Sequence, residues 1–136
     1  MTEAVLDASV VIKWFRAQGE RNVDAARALR TSFEAGQLIV FTPWLLHLEI
    51  VNVARRRWRW DEPTLVDLAT ALDDLGFELI APDLVRVAHW TARGLTAYDA
   101  AYVAVAEAVE TLLVTDDDLI VDIAKEIAQP LADAER

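Results

Sequence analysis

The chain has 136 residues and a formal net charge of −10, because 23 aspartates and glutamates outnumber 13 lysines and arginines. This length suits one domain with its own hydrophobic core, and we expect residues 1–136 to form a single domain. A composition that is 54% hydrophobic, with four glycines and four prolines, excludes disordered and collagen-like chains, and the absence of cysteine excludes disulfide scaffolds, Cys-ligated zinc and thiol nucleophiles.

Four short runs of consecutive apolar residues predict strands that are covered on both faces, as in a parallel sheet. These runs are residues 4–6, 38–41, 77–80 and 112–114. The longer segments between them have helical patterns, at residues 10–15, 24–34, 43–57, 63–75, 83–93 and 96–109. Gly36 and Gly76 are placed to end two of these helices, and Thr42 is placed to cap a third.

The C-terminal segment predicts a last helix that follows residues 116–118 and ends near residues 129–130, with a polar tail after it. Strands that alternate with helices through long connections predict an α/β fold with a mostly parallel sheet of four to five strands. No apolar run approaches the roughly 20 residues that span a bilayer, and the N-terminal MTEAVLDASVV lacks the basic start of a signal peptide. We therefore expect a cytoplasmic protein with no membrane partner.

Two acidic residues lie in apolar sequence, where solubility explains them poorly. Asp7 directly follows the first predicted strand, in AVLDASVV, where it either caps the next helix or faces a ligand at the sheet edge. Glu49 lies in PWLLHLEIVNVA, a helix that is apolar nearly all round, and a buried charge costs several kcal/mol unless it is paired or binds a cation. Asn52 is on the same helix face and is placed to orient Glu49, whereas Arg56 offers an ordinary ion pair on the helix surface.

Further acids occupy comparable positions later in the chain. Asp99 lies in the first turn of a helix capped by Thr96, where the helix dipole favours an anion, but its neighbours in TAYDAAYVAVAEA are aromatic and small. Asp116, Asp117 and Asp118 follow the fourth strand in LLVTDDDLI, and three adjacent carboxylates exceed what a helix cap requires. We therefore expect one of them to face a site while one or two cap the helix.

Right-handed connections bring these acids together at the carboxyl edge of the sheet. Clustered carboxylates raise one another's pKa unless a cation neutralises them, and an all-oxygen cluster selects Mg²⁺ or Mn²⁺ over zinc. The acids therefore predict a metal-dependent site for phosphoryl transfer or phosphodiester hydrolysis, although the acid excess argues against holding nucleic acid through bulk positive charge. We expect Lys13, six residues after Asp7, to lie at the surface.

The succession of LDASVVIKWF, TPWLLHLEIVNVA, LTAYDAAYVAVAE and LLVTDDDLI resembles a PIN-domain ribonuclease of the VapC toxin type over essentially the whole chain. The resemblance implies a three-layer α/β/α fold and a Mg²⁺ or Mn²⁺ site of four acids. Family members often end in a further short strand, which the predicted C-terminal helix does not supply. The residues that match the acids of the family are Asp7, Glu49, Asp99 and Asp117, with Asp116 as the alternative to Asp117.

Other matches extend this implied site. Asn52 accompanies the glutamate of the pattern, and Ser9 and Thr115 match hydroxyl positions near the metal. The implied activity is that of an endoribonuclease toxin, which hydrolyses RNA phosphodiester bonds and leaves 5′-phosphate and 3′-hydroxyl ends. The implied partners are an RNA substrate, a small cognate antitoxin that covers the site, and a second copy in a homodimer. The alternative is a catalytically inert PIN-like module that serves only in protein contacts.

One dense basic stretch remains, which we term the arginine–tryptophan segment. It consists of Arg55, Arg56, Arg57, Trp58, Arg59 and Trp60. Its arginines can hold RNA phosphates while its tryptophans stack on bases, or the segment can contact a protein. A third interpretation is purely structural, because cations suit the C-terminus of a helix and the tryptophans can be half-buried. The family resemblance favours a protein contact with the antitoxin.

Overall fold

The strands found in residues 1–134, the part of the chain that the computed structural model describes, form one parallel sheet of five strands. They are β1 (Glu3–Leu6), β2 (Ile39–Thr42), β3 (Glu78–Leu79), β4 (Leu113–Thr115) and β5 (Ala128–Pro130). Their order across the sheet is β3-β2-β1-β4-β5. Strand β1 is central, with Val5 opposite Phe41 of β2 on one side and Leu113 of β4 on the other. This position buries its apolar residues on both faces, as the sequence predicts.

Seven α-helices of the described chain flank this sheet. They are α1 (Ala8–Phe15), α2 (Val23–Glu34), α3 (Leu45–Arg56), α4 (Glu62–Asp73), α5 (Leu84–Ala92), α6 (Ala97–Val109) and α7 (Asp118–Ile123). The predicted three-layer α/β/α fold with a parallel sheet is confirmed. Within residues 1–134, no helix has both the length and the apolar character needed to cross a membrane.

Helix α6 packs closely on the sheet because its sequence is made mostly of small apolar residues. Every residue from Ala100 to Ala106 is buried, and the helix contacts β1, β2 and β4. Thr96 caps the helix as predicted, since its hydroxyl accepts a hydrogen bond from the Asp99 backbone at 3.0 Å. Because α6 leads into the start of β4, its first turn lies at the opposite, carboxyl edge of the parallel sheet.

The predicted helix ends agree with the structure at two glycines. Gly36 and Gly76, with φ of 74° and 81°, take the left-handed conformation shortly after α2 and α4 end. Glycine adopts this conformation without the steric cost of a Cβ atom. The sequence therefore predicts correctly where these two helices stop.

The C-terminal segment differs from the prediction. Helix α7 ends at Ile123, and Ala128–Pro130 form β5, which pairs with β4 instead of continuing a helix. Apolar residues spaced at 123, 124, 127 and 131 imitate a helix face, but Ala124 leaves the helical conformation at φ −113° and ψ 47°. Pro130 lacks an N–H group and is tolerated because β5 is an edge strand. The last two residues of the predicted polar tail, 135–136, lie outside the described residues.

The prediction that Thr42 caps α3 is also wrong. Thr42 is the last residue of β2, where it lies opposite Leu79 of β3. Its buried hydroxyl donates to the backbone oxygen of Leu6 at 3.3 Å, so it ties β2 to β1. Helix α3 begins at Leu45 without a side-chain cap.

Candidate metal centre

Asp7 lies directly after β1, and hydroxyl groups hold both of its carboxylate oxygens. The residue is only 4% exposed. Its Oδ1 accepts a hydrogen bond from Ser9 Oγ and its Oδ2 accepts one from Thr115 Oγ1, each at 2.5 Å. Asp7 occupies the N-cap position of α1, but its side chain makes no capping hydrogen bond. The carboxylate therefore binds the Ser9 side chain of α1 and Thr115 at the end of β4, and leaves the backbone of the helix uncapped.

The same two hydroxyls also organise the turn between β4 and α7. Ser9 Oγ accepts a hydrogen bond from the backbone N–H of Asp116 at 2.9 Å, and Thr115 Oγ1 accepts one from that of Asp117 at 3.0 Å. The two hydroxyl oxygens are 3.5 Å apart. Ser9 and Thr115 thus fix the carboxylate of Asp7 and the acidic turn relative to each other.

Glu49 is half-buried near the start of α3, and its orienting partner comes from α6. Its Oε1 accepts a hydrogen bond from the hydroxyl of Tyr102 at 2.6 Å. Asn52 is exposed, and its amide oxygen accepts from Arg56 Nε at 3.0 Å. The structure therefore pairs Glu49 with Tyr102, and it brings neither Asn52 nor Arg56 onto Glu49.

Asp99 and Asp117 bring two more carboxylates to this edge. Asp99 lies half-buried in the first turn of α6, and Asp117 caps α7, accepting from the backbone N–H groups of Leu119 at 2.9 Å and Ile120 at 3.2 Å. Burial raises the pKa of Asp99, and the charge of Asp117 raises it further. Asp117 therefore lies close enough to Asp99 to act on its ionisation.

Mutual repulsion connects Asp7, Glu49 and Asp99. Burial raises the pKa of Asp7 to about 7; the hydrogen bonds from its two hydroxyl donors oppose this rise, and the charges of Asp99 and Glu49 add to it. Burial also raises the pKa of Glu49, with a further rise from the charge of Asp99. Asp99 is thus the common neighbour of the other two acids.

Asp116 has a different environment from its neighbour in the sequence. Its carboxylate contacts Lys13 Nζ and Arg21 Nε, both at 3.1 Å, and accepts from Asn22 Nδ2 at 2.9 Å. Burial alone would raise the pKa of Asp116, but hydrogen bonds from these three side chains outweigh it and lower the pKa. Its negative charge is therefore already compensated by protein cations.

The prediction of a surface position for Lys13 is wrong. Lys13 is only 6% exposed, and its ammonium group contacts Glu20 Oε1 at 3.0 Å as well as Asp116. Glu20 also accepts from Arg57 Nη2 at 3.5 Å. A charge within the apolar run VVIKWF signals a buried ion pair. Its partner Glu20 is nearby in the sequence, but Asp116 lies too far along the chain for local sequence to identify it.

The acids fit a divalent cation in their chemistry. Within residues 1–134, no three acidic or histidine side chains converge closely enough to bind a metal ion. In the same part of the chain, no lysine or arginine forms an ion pair with Asp7, Glu49 or Asp99. Carboxylates that repel one another are drawn together only when a cation neutralises them, and oxygen donors suit Mg²⁺.

The arginine–tryptophan segment is tied to the rest of the fold. Its tryptophans are half-buried, with ring centroids 5.0 Å apart. Three of its arginines have protein acceptors: Arg55 at the Trp60 carbonyl, Arg56 at Asn52 and Arg57 at Glu20. Arg59 is exposed and has a positive φ of 62°. The half-buried tryptophans agree with the structural interpretation, while the arginine side chains lie at the surface.

Tyr102 is the site residue that the sequence reasoning missed. A signal for it exists, because Tyr102 follows Asp99 by three residues and so lies on the same face of α6. Its hydroxyl is the one polar side-chain group among the buried residues Ala100 to Ala106, and a buried hydroxyl needs an acceptor. The sequence could have suggested this need, but not that Glu49, 53 residues away, supplies the acceptor.

Replacing Asp7 with asparagine is expected to stabilise the metal-free protein as the pH rises. The pKa of Asp7 is about 7 in the folded protein against an ordinary value of 3.8, so the folded state holds this proton more tightly. The free energy of unfolding of the wild type should therefore fall, relative to that of Asp7→Asn, between about pH 4 and pH 7 and then stay level. Urea unfolding at stepped pH measures this, with the exposed Asp67→Asn as control. If the difference in free energy of unfolding between the wild type and Asp7→Asn does not change with pH, the raised pKa of the buried Asp7 is contradicted.

Comparison with known proteins agrees with this architecture. A family model described as the PIN domain matches residues 4–126. The crystal structure of PAE2754 from Pyrobaculum aerophilum has a similar fold, with a TM-score of 0.66 and 24% sequence identity over 96% of this chain and 90% of that chain. The curated proteins contain no match. PIN domains are generally nucleases that use a divalent metal ion. Because the family model spans most of the chain, this protein belongs to the PIN-domain family.

Proposed function

We propose that this chain is an endoribonuclease that hydrolyses RNA phosphodiester bonds with Mg²⁺ or Mn²⁺. The observation that carries the proposal is the set of Asp7, Glu49 and Asp99, whose carboxylates lie at one edge of the sheet without a protein cation in the described chain. A set of repelling, partly buried carboxylates is stable when a divalent cation binds among them. Membership in a family of nucleases supports a nucleic acid as the substrate.

We assign Asp7, Glu49 and Asp99 as metal ligands and Asp117 as the fourth acid. The support for Asp117 over Asp116 is electrostatic, because Asp117 acts on Asp99 whereas the charge of Asp116 is compensated by cations. When bound, the metal ion supplies an activated water and neutralises charge on the attacked phosphate. Oxygen donors alone favour Mg²⁺ or Mn²⁺ in this role.

The protein's own contribution is to orient these carboxylates and, at Asp7, to oppose part of the rise in pKa that burial causes. Ser9 and Thr115 donate to Asp7, and hydrogen bonds to a carboxylate favour its charged form, which is the form that binds cations. Asp7 is buried, whereas Glu49 and Asp99 are half-buried. The site is therefore accessible from solvent at Glu49 and Asp99, where a phosphate can approach.

Attack by water is favoured over attack by the ribose 2′-hydroxyl. The second route needs an acid–base pair, most often histidines. The chain has two histidines: His47 is buried on α3, and His89 packs its ring 5.0 Å from that of Trp90 on α5. Hydrolysis by water leaves the 5′-phosphate and 3′-hydroxyl ends that the family resemblance implies.

We further propose that the protein acts in the cytoplasm as a VapC-type toxin, as a homodimer that a small cognate antitoxin neutralises. Support for a protein contact comes from an apolar cavity of about 600 Å³ beside the site. Trp44, Leu79 and Leu84, which line it, are at least half exposed, and exposed apolar patches mark protein contacts. The antitoxin is tested separately. We expect a short open reading frame beside this gene, and its purified product should suppress RNA cleavage by this protein.

The competing candidate is an inert PIN-like module that binds partners without metal. The presence of all four acids, none of which forms an ion pair with a lysine or arginine in the described chain, favours the enzyme. Calorimetric titration with Mn²⁺ discriminates between the two. Binding supports the enzyme, and the absence of binding supports the inert module.

Removing one metal-binding carboxylate is expected to abolish RNA cleavage without unfolding the chain. Asp7→Asn and Asp99→Asn should each lower the rate of Mg²⁺- or Mn²⁺-dependent cleavage of single-stranded RNA by about 10²-fold or more, because each removes a charge that holds the cation. EDTA should stop the wild-type reaction, and added Mn²⁺ should restore it. Circular dichroism checks that both variants remain folded.

Comparing Asp116→Asn with Asp117→Asn tests which of the two residues is the fourth acid of the site. We expect Asp117→Asn to lower the cleavage rate more than Asp116→Asn does, since Asp117 acts on Asp99. Full cleavage by Asp7→Asn or Asp99→Asn would refute the assignment. A larger loss of cleavage rate in Asp116→Asn than in Asp117→Asn would make Asp116 the fourth acid instead of Asp117.

Replacing Arg55, Arg56 and Arg57 with alanine is expected to leave RNA binding unchanged, because we assign the arginine–tryptophan segment to a protein contact. The measurement is the affinity for a labelled single-stranded RNA across a series of salt concentrations, made in an Asp99→Asn background to prevent cleavage. If the arginines instead hold phosphates, the slope of log K against the logarithm of the salt concentration should become less negative. The change should be about 0.7 for each phosphate that the variant no longer neutralises. That result would show that the arginine–tryptophan segment binds RNA.

A further inference from the structure

We propose that Tyr102 is a positioning residue for the metal centre, whose hydroxyl fixes the Glu49 carboxylate so that Oε2 is presented to the cation. The inference rests on the metal site proposed above. Tyr102 would act through Glu49, without touching the metal ion or the RNA.

The contact between the two side chains is short and specific. The Tyr102 hydroxyl donates to Glu49 Oε1 at 2.6 Å, within the range of strong hydrogen bonds to a carboxylate. Tyr102 is 1% exposed, so its hydroxyl has little access to water as an alternative partner. Glu49 Oε2 makes no hydrogen bond to any residue from 1 to 134. The hydrogen bond therefore occupies one oxygen and leaves the other available.

The position of Tyr102 makes it a rigid support. It lies in the stretch of α6 that is buried against the sheet, where the neighbouring residues are alanine and valine. A glutamate side chain on a half-exposed helix face otherwise samples several rotamers, and fixing them costs free energy on binding. Because Tyr102 is held by the core, its hydroxyl restricts Glu49 before a cation arrives.

The hydrogen bond also joins two helices that supply different acids. Glu49 comes from α3, whereas Asp99 comes from α6, three residues before Tyr102 and on the same face. Through Tyr102, the helix that carries Asp99 also sets the orientation of Glu49. Helix α6 therefore holds both carboxylates, Asp99 directly and Glu49 through Tyr102. This limits how far their mutual repulsion can separate them.

The test is Mn²⁺ affinity, measured by calorimetry on the full chain without RNA. Tyr102→Phe removes one oxygen and keeps the ring, so the packing of α6 is retained. We expect its dissociation constant for Mn²⁺ to rise about 10-fold or more, as is typical when a group that orients a metal ligand is lost. Tyr98→Phe, the same change at an exposed position of α6, should bind Mn²⁺ as the wild type does.

A double-mutant cycle separates positioning from packing. In a Glu49→Gln background, Tyr102→Phe should weaken Mn²⁺ binding no further, because its effect passes through the carboxylate. Glu49→Asp shortens the side chain and so should lose the hydrogen bond from Tyr102 and weaken binding. Because Glu49 is only half-buried, this variant keeps the test usable if Tyr102→Phe unfolds. Thermal unfolding of the metal-free variants reports any loss of stability separately.

Three outcomes would overturn the inference. These are wild-type Mn²⁺ affinity in Tyr102→Phe, wild-type affinity in Glu49→Asp, or a loss in Tyr102→Phe that persists in full without the Glu49 carboxylate. Failure of the wild type and of Tyr98→Phe to bind Mn²⁺ is a different result. It would refute the metal site itself and, with it, the role assigned to Tyr102.

Discussion

Where β1 and β4 end side by side, the hydroxyl of Thr115 donates to the buried carboxylate of Asp7 across 2.5 Å. The two residues are 108 positions apart in the chain, so only the parallel pairing of these two central strands brings them together. Ser9 completes the arrangement from the first turn of α1. Every other acid of the site approaches this fixed point on a helix that leaves or enters the same edge of the sheet.

The distribution of cations gives this edge its chemical character. Lys13 and Arg21 contact Asp116, so the nearby positive charge compensates one carboxylate and leaves Asp7 and Asp99 without a cationic partner in the described chain. A net charge of −10 at first suggests a protein that avoids nucleic acid. Locally, however, uncompensated carboxylates are the feature that permits a divalent cation to bind and to face a phosphate.

Local features of the sequence were sufficient for the fold class, for β1 and for the cap of α6, because periodicity and capping are encoded within a few residues. Local features also singled out the acids, since Asp7 and Glu49 stand in apolar runs. Three results could not be reached this way. Strand β5 exists only through pairing with β4, the buried Lys13 pairs with the distant Asp116, and the acceptor for Tyr102 lies on another helix. Each depends on contacts between residues far apart in the chain, which local patterns do not specify.

The central claim is that Asp7, Glu49 and Asp99 together bind a divalent cation. The most direct measurement is anomalous diffraction from crystals of the wild-type chain soaked in Mn²⁺. We predict an anomalous peak between these three carboxylates, with Asp117 at its rim and the Tyr102 hydroxyl still on Glu49. A peak at Asp116, or no peak at this edge of the sheet in crystals soaked at a saturating Mn²⁺ concentration, would contradict the claim.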